Sequence, residues 1–187
     1  MRKVLVLTAA GACVLTLGLT TTPANAAAAG TALTVNLSGG SLSISAPGTA
    51  SLTGSATTGS TLTGPLGSTP TQITDSTGSL LGWSDHVTVS SDLTSTGTPA
   101  DKISLAVGSS TLTIVAGTVA ASGTSLLTGV AAGGLGTLTT TTSVPLVTAV
   151  AGAGGGTYSF TPTLALVVPP NTKAHTDYTT TITQTVS

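Results

Sequence analysis

Few residues in this chain have chemistry to offer. His86 follows Asp85 directly, and His175 stands two residues before Asp177. A histidine beside a carboxylate is what a Ser-His-Asp hydrolase or a metal site would use. All five acids are aspartates, placed singly at Asp75, Asp85, Asp92, Asp101 and Asp177. Serine is so common here that its closeness to a histidine carries no information. There is no Gly-x-Ser-x-Gly elbow and no His-Glu-x-x-His. The expectation is therefore no catalytic residue, no metal ligand and no cofactor. Asp75 and Asp101 read as turn residues that bond nearby backbone. Asp85, Asp92 and Asp101 would hold calcium only if their loops converged, and the regular Asp-x-Asp ladder is missing.

The aromatic residues are the other candidates. Trp83 is the only tryptophan. It reads either as a platform that stacks on a glycan ring or as a core residue with its N–H bonded to backbone. Tyr158 and Phe160, two apart, share one strand face, and Phe160 reads as core. Tyr178 opens a strand and can reach solvent. Trp83, Tyr158 and Tyr178 are thus the candidate binding residues.

The composition says what must position them. Of 187 residues only 5% are charged, while 40% are hydrophobic. Thr, Ser and Gly are abundant, and Glu, Lys, Gln and Arg are scarce. β-Branched residues lose side-chain freedom in a helix, so this mixture favours strands. Disordered chains are usually charged and poor in Leu and Val, which this one is not. Two fixed cations, Lys102 and Lys173, remain beyond the N-terminal segment, too few to neutralise a phosphate backbone, so nucleic acid is excluded as a partner.

Met1-Arg2-Lys3, the apolar run Val4 to Leu19, Pro23 and Ala24-Asn25-Ala26 together form a secretory signal, with cleavage expected after Ala26. Cys13 lies inside the apolar run and leaves with it, so the mature chain has no thiol and no disulfide. Residues 1–26 are then the signal and 27–187 the surface domain, with 27–70 partly linker. No membrane span is expected in the mature chain.

Ala27 to Gly30 reads as a frayed start. Leu33, Val35 and Leu37 alternate with polar residues, as do Leu42, Ile44 and Ala46, which predicts two strands and a hairpin through Gly39-Gly40. Within the Gly/Ser/Thr/Pro-rich stretch 50–70, a strand falls at Ser51 to Thr53 or Ser60 to Thr63. Further strands are expected over Thr71 to Asp75, Leu80 to Ser90, Lys102 to Val107 and Thr111 to Ala116. Thr118 to Gly136 reads as irregular and Leu138 to Ser143 as an exposed strand. Pro145 demotes Val144 to Val150 to an edge or a loop. Thr157 to Val168 is one long strand that Pro162 can bend. Tyr178, Thr180, Ile182 and Gln184 share a face of the last strand. Short strands at this spacing predict an all-β fold, an antiparallel β-sandwich of the Ig-like or Greek-key type.

Two segments resemble the WxL-domain family of cell-wall-associated surface proteins of Gram-positive bacteria. Ile73-Thr74-Asp75-Ser76-Thr77-Gly78 through Gly82-Trp83-Ser84 is similar to its strand, Asp-x-x-Gly turn and Gly-Trp strand, and Val87 to Leu93 to the continuation. Thr157 to Thr172 with Tyr178 to Gln184 is similar to its C-terminal pair of strands. Asp85 stands where the family carries an aliphatic residue, and Asp85-His86 looks like a one-residue insertion of the β-bulge kind. Gln184 lies near the place of the second tryptophan. The resemblance implies a β-rich domain that binds peptidoglycan non-covalently.

The function expected is a secreted, extracellular, non-enzymatic protein that is held at the cell wall. It would bind peptidoglycan or wall glycan through many uncharged contacts, with weak salt dependence. The alternative is a self-associating coat or surface subunit, because charges that normally protect strand edges are short. Other surface proteins are further possible partners. The Thr-rich stretches read as exposed sheet faces or as sites of O-glycosylation.

Overall fold

A computed structural model of the chain describes residues 34–52, 59–97, 99–106 and 111–187. The signal segment 1–26, Cys13, the start Ala27 to Gly30, Leu33, Thr53 and Val107 lie outside the described residues. The described residues contain strands and no helix, and no helix is long and apolar enough to cross a membrane. The strands belong to the unit Leu37–Ser187.

The fold is an antiparallel β-sandwich. One sheet is ordered β1-β3-β12-β8, with β1 Leu42–Ser45, β3 Thr71–Asp75, β12 Gly156–Phe160 and β8 Ala120–Ser122. A second is ordered β14-β4-β11-β9, with β14 Ile182–Val186, β4 Trp83–Val89, β11 Ser143–Ala149 and β9 Val130–Ala132. A third is ordered β10-β7-β13-β2, with β10 Gly136–Leu138, β7 Thr111–Val115, β13 Thr163–Val167 and β2 Thr61–Pro65. A short ribbon pairs β5 Leu93–Thr94 with β6 Lys102–Ile103. Every ladder is antiparallel, and most join strands far apart in sequence, as crossed connections require.

Period-two alternation places the core. Ile73, Val87, Leu105, Ile114, Leu138, Leu146 and Leu164 point inward and are buried, with Trp83, Tyr158 and Phe160 among them. Pro162 does bend the expected long strand: β12 lies in the first sheet and β13 in the third, so the chain changes sheets there. Such corners are how sandwiches close over one core.

Several expectations are corrected. Val35 and Leu37 are exposed, no strand covers 34–37, and the first hairpin does not form. Leu42–Ser45 pairs instead with Thr71–Asp75, because alternation sets a strand's faces but not its partner. Lys102 to Val107 shrinks to two paired residues, although Ile103 and Leu105 are buried. The stretch 118–136 carries two short strands. Leu138 ends a strand and Thr139 to Thr142 turns, held by the Thr142 hydroxyl accepting from the Thr139 N–H at 2.9 Å.

The segment with Pro145 is neither edge nor loop. β11 is central, between β4 and β9. Its ladder with β9 covers only Val147–Ala149, so Pro145 lies outside it and its missing N–H breaks no bond there. A bulge falls where one was expected, opposite Asp85 and His86, but the extra residue is Leu146 on β11 rather than one on β4.

Candidate functional site

Of the three aromatic candidates, the fold brings two together and leaves one apart. β4 and β12 face each other across the sandwich and carry Trp83 and Tyr158 with ring centroids 5.6 Å apart. Trp83 is 4% exposed and Tyr158 1%. The Trp83 Nε1–H donates to the Gly154 carbonyl at 2.9 Å. The Tyr158 hydroxyl contacts the Leu126 and Gly155 carbonyls at 2.9 and 3.0 Å. Burial, and then the charge of Asp75, hold its phenol above the usual value. Neither ring can stack on a ligand without opening the loops that cover it. A Cβ on Gly154 would collide with the Trp83 ring, so the glycine lets the loop close over it.

Tyr178 sits elsewhere, before β14, half-buried and beside a groove of about 1370 Å³. Leu62, Leu112, Leu166 and Ile182 contribute the apolar floor, and residues 172–181 form a hydroxyl-rich wall. The Tyr178 hydroxyl donates to the Lys173 carbonyl at 3.1 Å, and its ring meets His175 edge-on at 5.5 Å. Burial raises the phenol's pKa first, then the charge of Asp101.

Charge gathers at the groove's rim. The Asp101 carboxylate accepts from Lys173 Nζ at 2.9 Å and lies 2.8 Å from His175 Nε2. The Lys173 and then the His175 hydrogen bond hold Asp101 below the usual carboxylate range, and Asp101 in turn raises Lys173. His175 Nδ1 lies 3.8 Å from Asp177. Asp177 accepts from the Thr96 hydroxyl and from the Thr96 N–H at 2.8 Å, which lowers its pKa. His175 thus has a carboxylate on each side, Asp101 bonded at Nε2 and Asp177 3.8 Å from Nδ1. The backbone of Asp101 bonds Ser95 as a turn residue would, but its carboxylate serves the side chains of residues 173 and 175. Asp75 does cap its turn, accepting from the Thr77 N–H at 2.9 Å.

The second histidine pair is unlike the first. Asp85 is fully buried between the sheets. Its Oδ2 accepts from Gln184 Nε2 at 2.7 Å, and the Gln184 Oε1 accepts from the Thr71 hydroxyl at 3.1 Å. Burial pushes the Asp85 carboxyl up to about 6, against smaller lowering by Gln184 and His86. Asp92 accepts from the Leu105 N–H at 2.8 Å. Asp85, Asp92 and Asp101 are thus engaged separately, and no group of three metal-ligating side chains forms among the described residues.

Sequence reasoning missed the groove and the cluster, although Lys173, His175 and Asp177 follow one another at intervals of two. It could not pair them with Asp101, which is over seventy residues away. No protein-family model matches the chain, and neither the curated proteins nor the solved structures hold a significant match.

Proposed function

We propose that this chain is an exported, non-enzymatic surface module that binds the bacterial cell wall non-covalently, through the groove beside Tyr178. One observation carries the reading: a wide groove with an apolar floor, a threonine wall and one half-exposed ring. Sugars present alternating apolar faces and hydroxyls, and such a surface suits them. The rim's aspartates and lysine suit the amines and carboxylates of a peptidoglycan stem peptide. Asp85 and Gln184, where the chain departs from the WxL pattern that it resembles, bond each other.

The test is sedimentation with purified sacculi. The protein should pellet with them nearly as well at about 0.5 M as at about 0.1 M salt, since most contacts are uncharged. Tyr178→Ala should release it while the fold, read by circular dichroism, persists. A protein that stays in the supernatant at low salt sinks the proposal.

A second reading rests on the strand edges. The outer strands of the three four-stranded sheets, β1, β8, β14, β9, β10 and β2, carry no charged residue, and only Pro65 on β2 blocks a ladder position. Unguarded edges can pair between copies. Concentration-dependent scattering would favour a self-assembling coat, and a monomer at high concentration would remove that reading.

A further inference from the structure

A polar trio bridges two sheets of the sandwich. Thr71 on β3 and Asp85 on β4 are both fully buried, and so are Ile73 and Val87, two residues further along the same strands. Gln184 on β14 joins the two polar groups through the two ends of its carboxamide. The Thr71 hydroxyl donates to Gln184 Oε1 at 3.1 Å, and Gln184 Nε2 donates to Asp85 Oδ2 at 2.7 Å. The carbonyl carbon of Gln184 is therefore one bond away from the atom that Thr71 already touches.

Stability alone does not account for this arrangement. The other carboxyl oxygen, Asp85 Oδ1, is buried and has no hydrogen-bond partner among the described residues. Such orphans are uncommon and costly, whereas apolar groups of the same shape would pack at little loss. Taken as chemistry, the trio is complete for acyl transfer. It holds a hydroxyl nucleophile, an acyl carbon with a nitrogen leaving group, and a carboxyl that touches that nitrogen. Burial raises the carboxyl to about 6, where it both takes and gives up a proton near neutral pH. The fold supplies the orientation, and burial keeps water, the competing nucleophile, from Thr71 and Asp85.

We propose that Thr71 and Gln184 condense into an ester cross-link inside the folded chain, with Asp85 as the proton carrier. The bond from Thr71 Oγ1 to Gln184 Cδ forms, and the Cδ–Nε2 bond breaks. Asp85 receives the hydroxyl proton on one oxygen and delivers a proton to Nε2 from the other, so it ends as it began. One ammonia leaves, and no other reactant is consumed. The reaction happens once per chain, so it stands beside the non-enzymatic reading and does not depend on wall binding. The hydrogen bonds given above describe the chain before condensation. The only cysteine is Cys13, so no intrachain disulfide can tie the strands. The ester would do so instead, closing residues 113 apart in sequence and pinning the outer strand β14 to β3 in another sheet.

Mass spectrometry of the full chain tests this. The intact mass should fall below that of the sequence by one ammonia. Trypsin cuts after Lys102 and Lys173, so the fragment ending at Lys102 should be found joined to Ala174–Ser187. Hydroxylamine, which cleaves esters and spares amides, should separate the two and leave a hydroxamate at Gln184. Thr71→Val keeps the shape of the side chain and should abolish the link, while Thr71→Ser should retain it. Asp85→Asn should slow its formation by about a hundredfold or more, with circular dichroism confirming that each variant is folded. Separate fragments with Gln184 intact in the folded wild-type chain overturn the proposal. So does Gln184 converted to Glu, which would mean that water and not Thr71 attacks. A link that survives Thr71→Val, or one that resists hydroxylamine, overturns it as well.

Discussion

The two ends of β4 are built from opposite materials. At the Trp83 end, glycine-rich loops close over two aromatic rings and expose leucines. At the Val89 end, beyond β5 and before β14, Asp101, Lys173, His175 and Asp177 share one network. In a chain with so few charges, one end gathers Asp101, Lys173 and Asp177 around His175, while near the other lies the buried Asp75. The difference teaches how such a composition can still make distinct surfaces. One end is fixed by hydrogen bonds from aromatic side chains to backbone carbonyls, and the other by ion pairs open to water. The first depends on burial, which salt does not screen, and the second depends on charge, which salt does.

The largest effect should come from breaking the aromatic end. Trp83→Ala removes the ring from Tyr158 and frees the Gly154 carbonyl, and should cost about 3–5 kcal/mol. Trp83→Phe keeps most of the packing and loses the bond, and should cost about 1–3 kcal/mol. Tyr178→Ala, at a half-buried ring, should cost clearly less than Trp83→Ala. Urea unfolding followed by circular dichroism measures all three. Equal losses at Trp83 and Tyr178 would mean that the two ends do not differ in the way described.

Next comes the carboxyl midway between the ends. Asp85 has an ordinary value of 3.8 unfolded and about 6 folded. The folded state therefore holds the proton more tightly. Between those values the native chain binds more protons than the unfolded one, so stability falls as pH rises. The penalty is absent below about pH 4, complete above about pH 6, and on the order of 3 kcal/mol. Asp85→Asn keeps an acceptor for Gln184 and should flatten the unfolding free energy across this window. A wild-type curve already flat from pH 4 to 7 would show that Asp85 reaches solvent or an additional partner.

This buried pair also marks how far sequence reading extends. Alternation placed strands over Thr71 to Asp75, Lys102 to Val107 and Thr157 to Val168, and Ile73, Ile103 and Leu164 are buried on them, because a half-buried strand repeats every two residues. The faces were legible for that reason. Partners were not, since Leu42–Ser45 could as well have met the strand before it as the one it meets. Pro145 misled because the loss of one N–H matters only where a neighbouring strand extends to it, and β9 stops short. At the candidate site, Trp83 and Tyr178 were singled out by type, but their opposite fates depend on which loops cover them. The groove, the bond between Asp85 and Gln184, and the gathering at Asp101 are all long-range. No local pattern encodes them.

The smallest effect should come from the charged end. Asp101 and Asp177 are held below the ordinary carboxylate value by their hydrogen bonds. A lowered folded value gives stability that is present above the unfolded pKa and lost as pH falls through the folded one. The pH dependence they add therefore falls in the acid limb, below about pH 4, where Asp85 is protonated in both states and contributes no slope. Asp101→Asn should leave the curve near pH 7 almost unchanged, because exposed pairs add little in water, and should make the acid limb shallower. Added salt near 1 M should reduce the difference between wild type and Asp101→Asn, since screening then acts within about 3 Å. The same salt should leave the slope between pH 4 and 6 in place, because Asp85 is fully buried. A single pH titration at two salt concentrations thus separates the two kinds of aspartate. If salt abolished the upper slope as well as the lower, Asp85 would belong with the exposed charges, and the contrast drawn along β4 would fail at its middle.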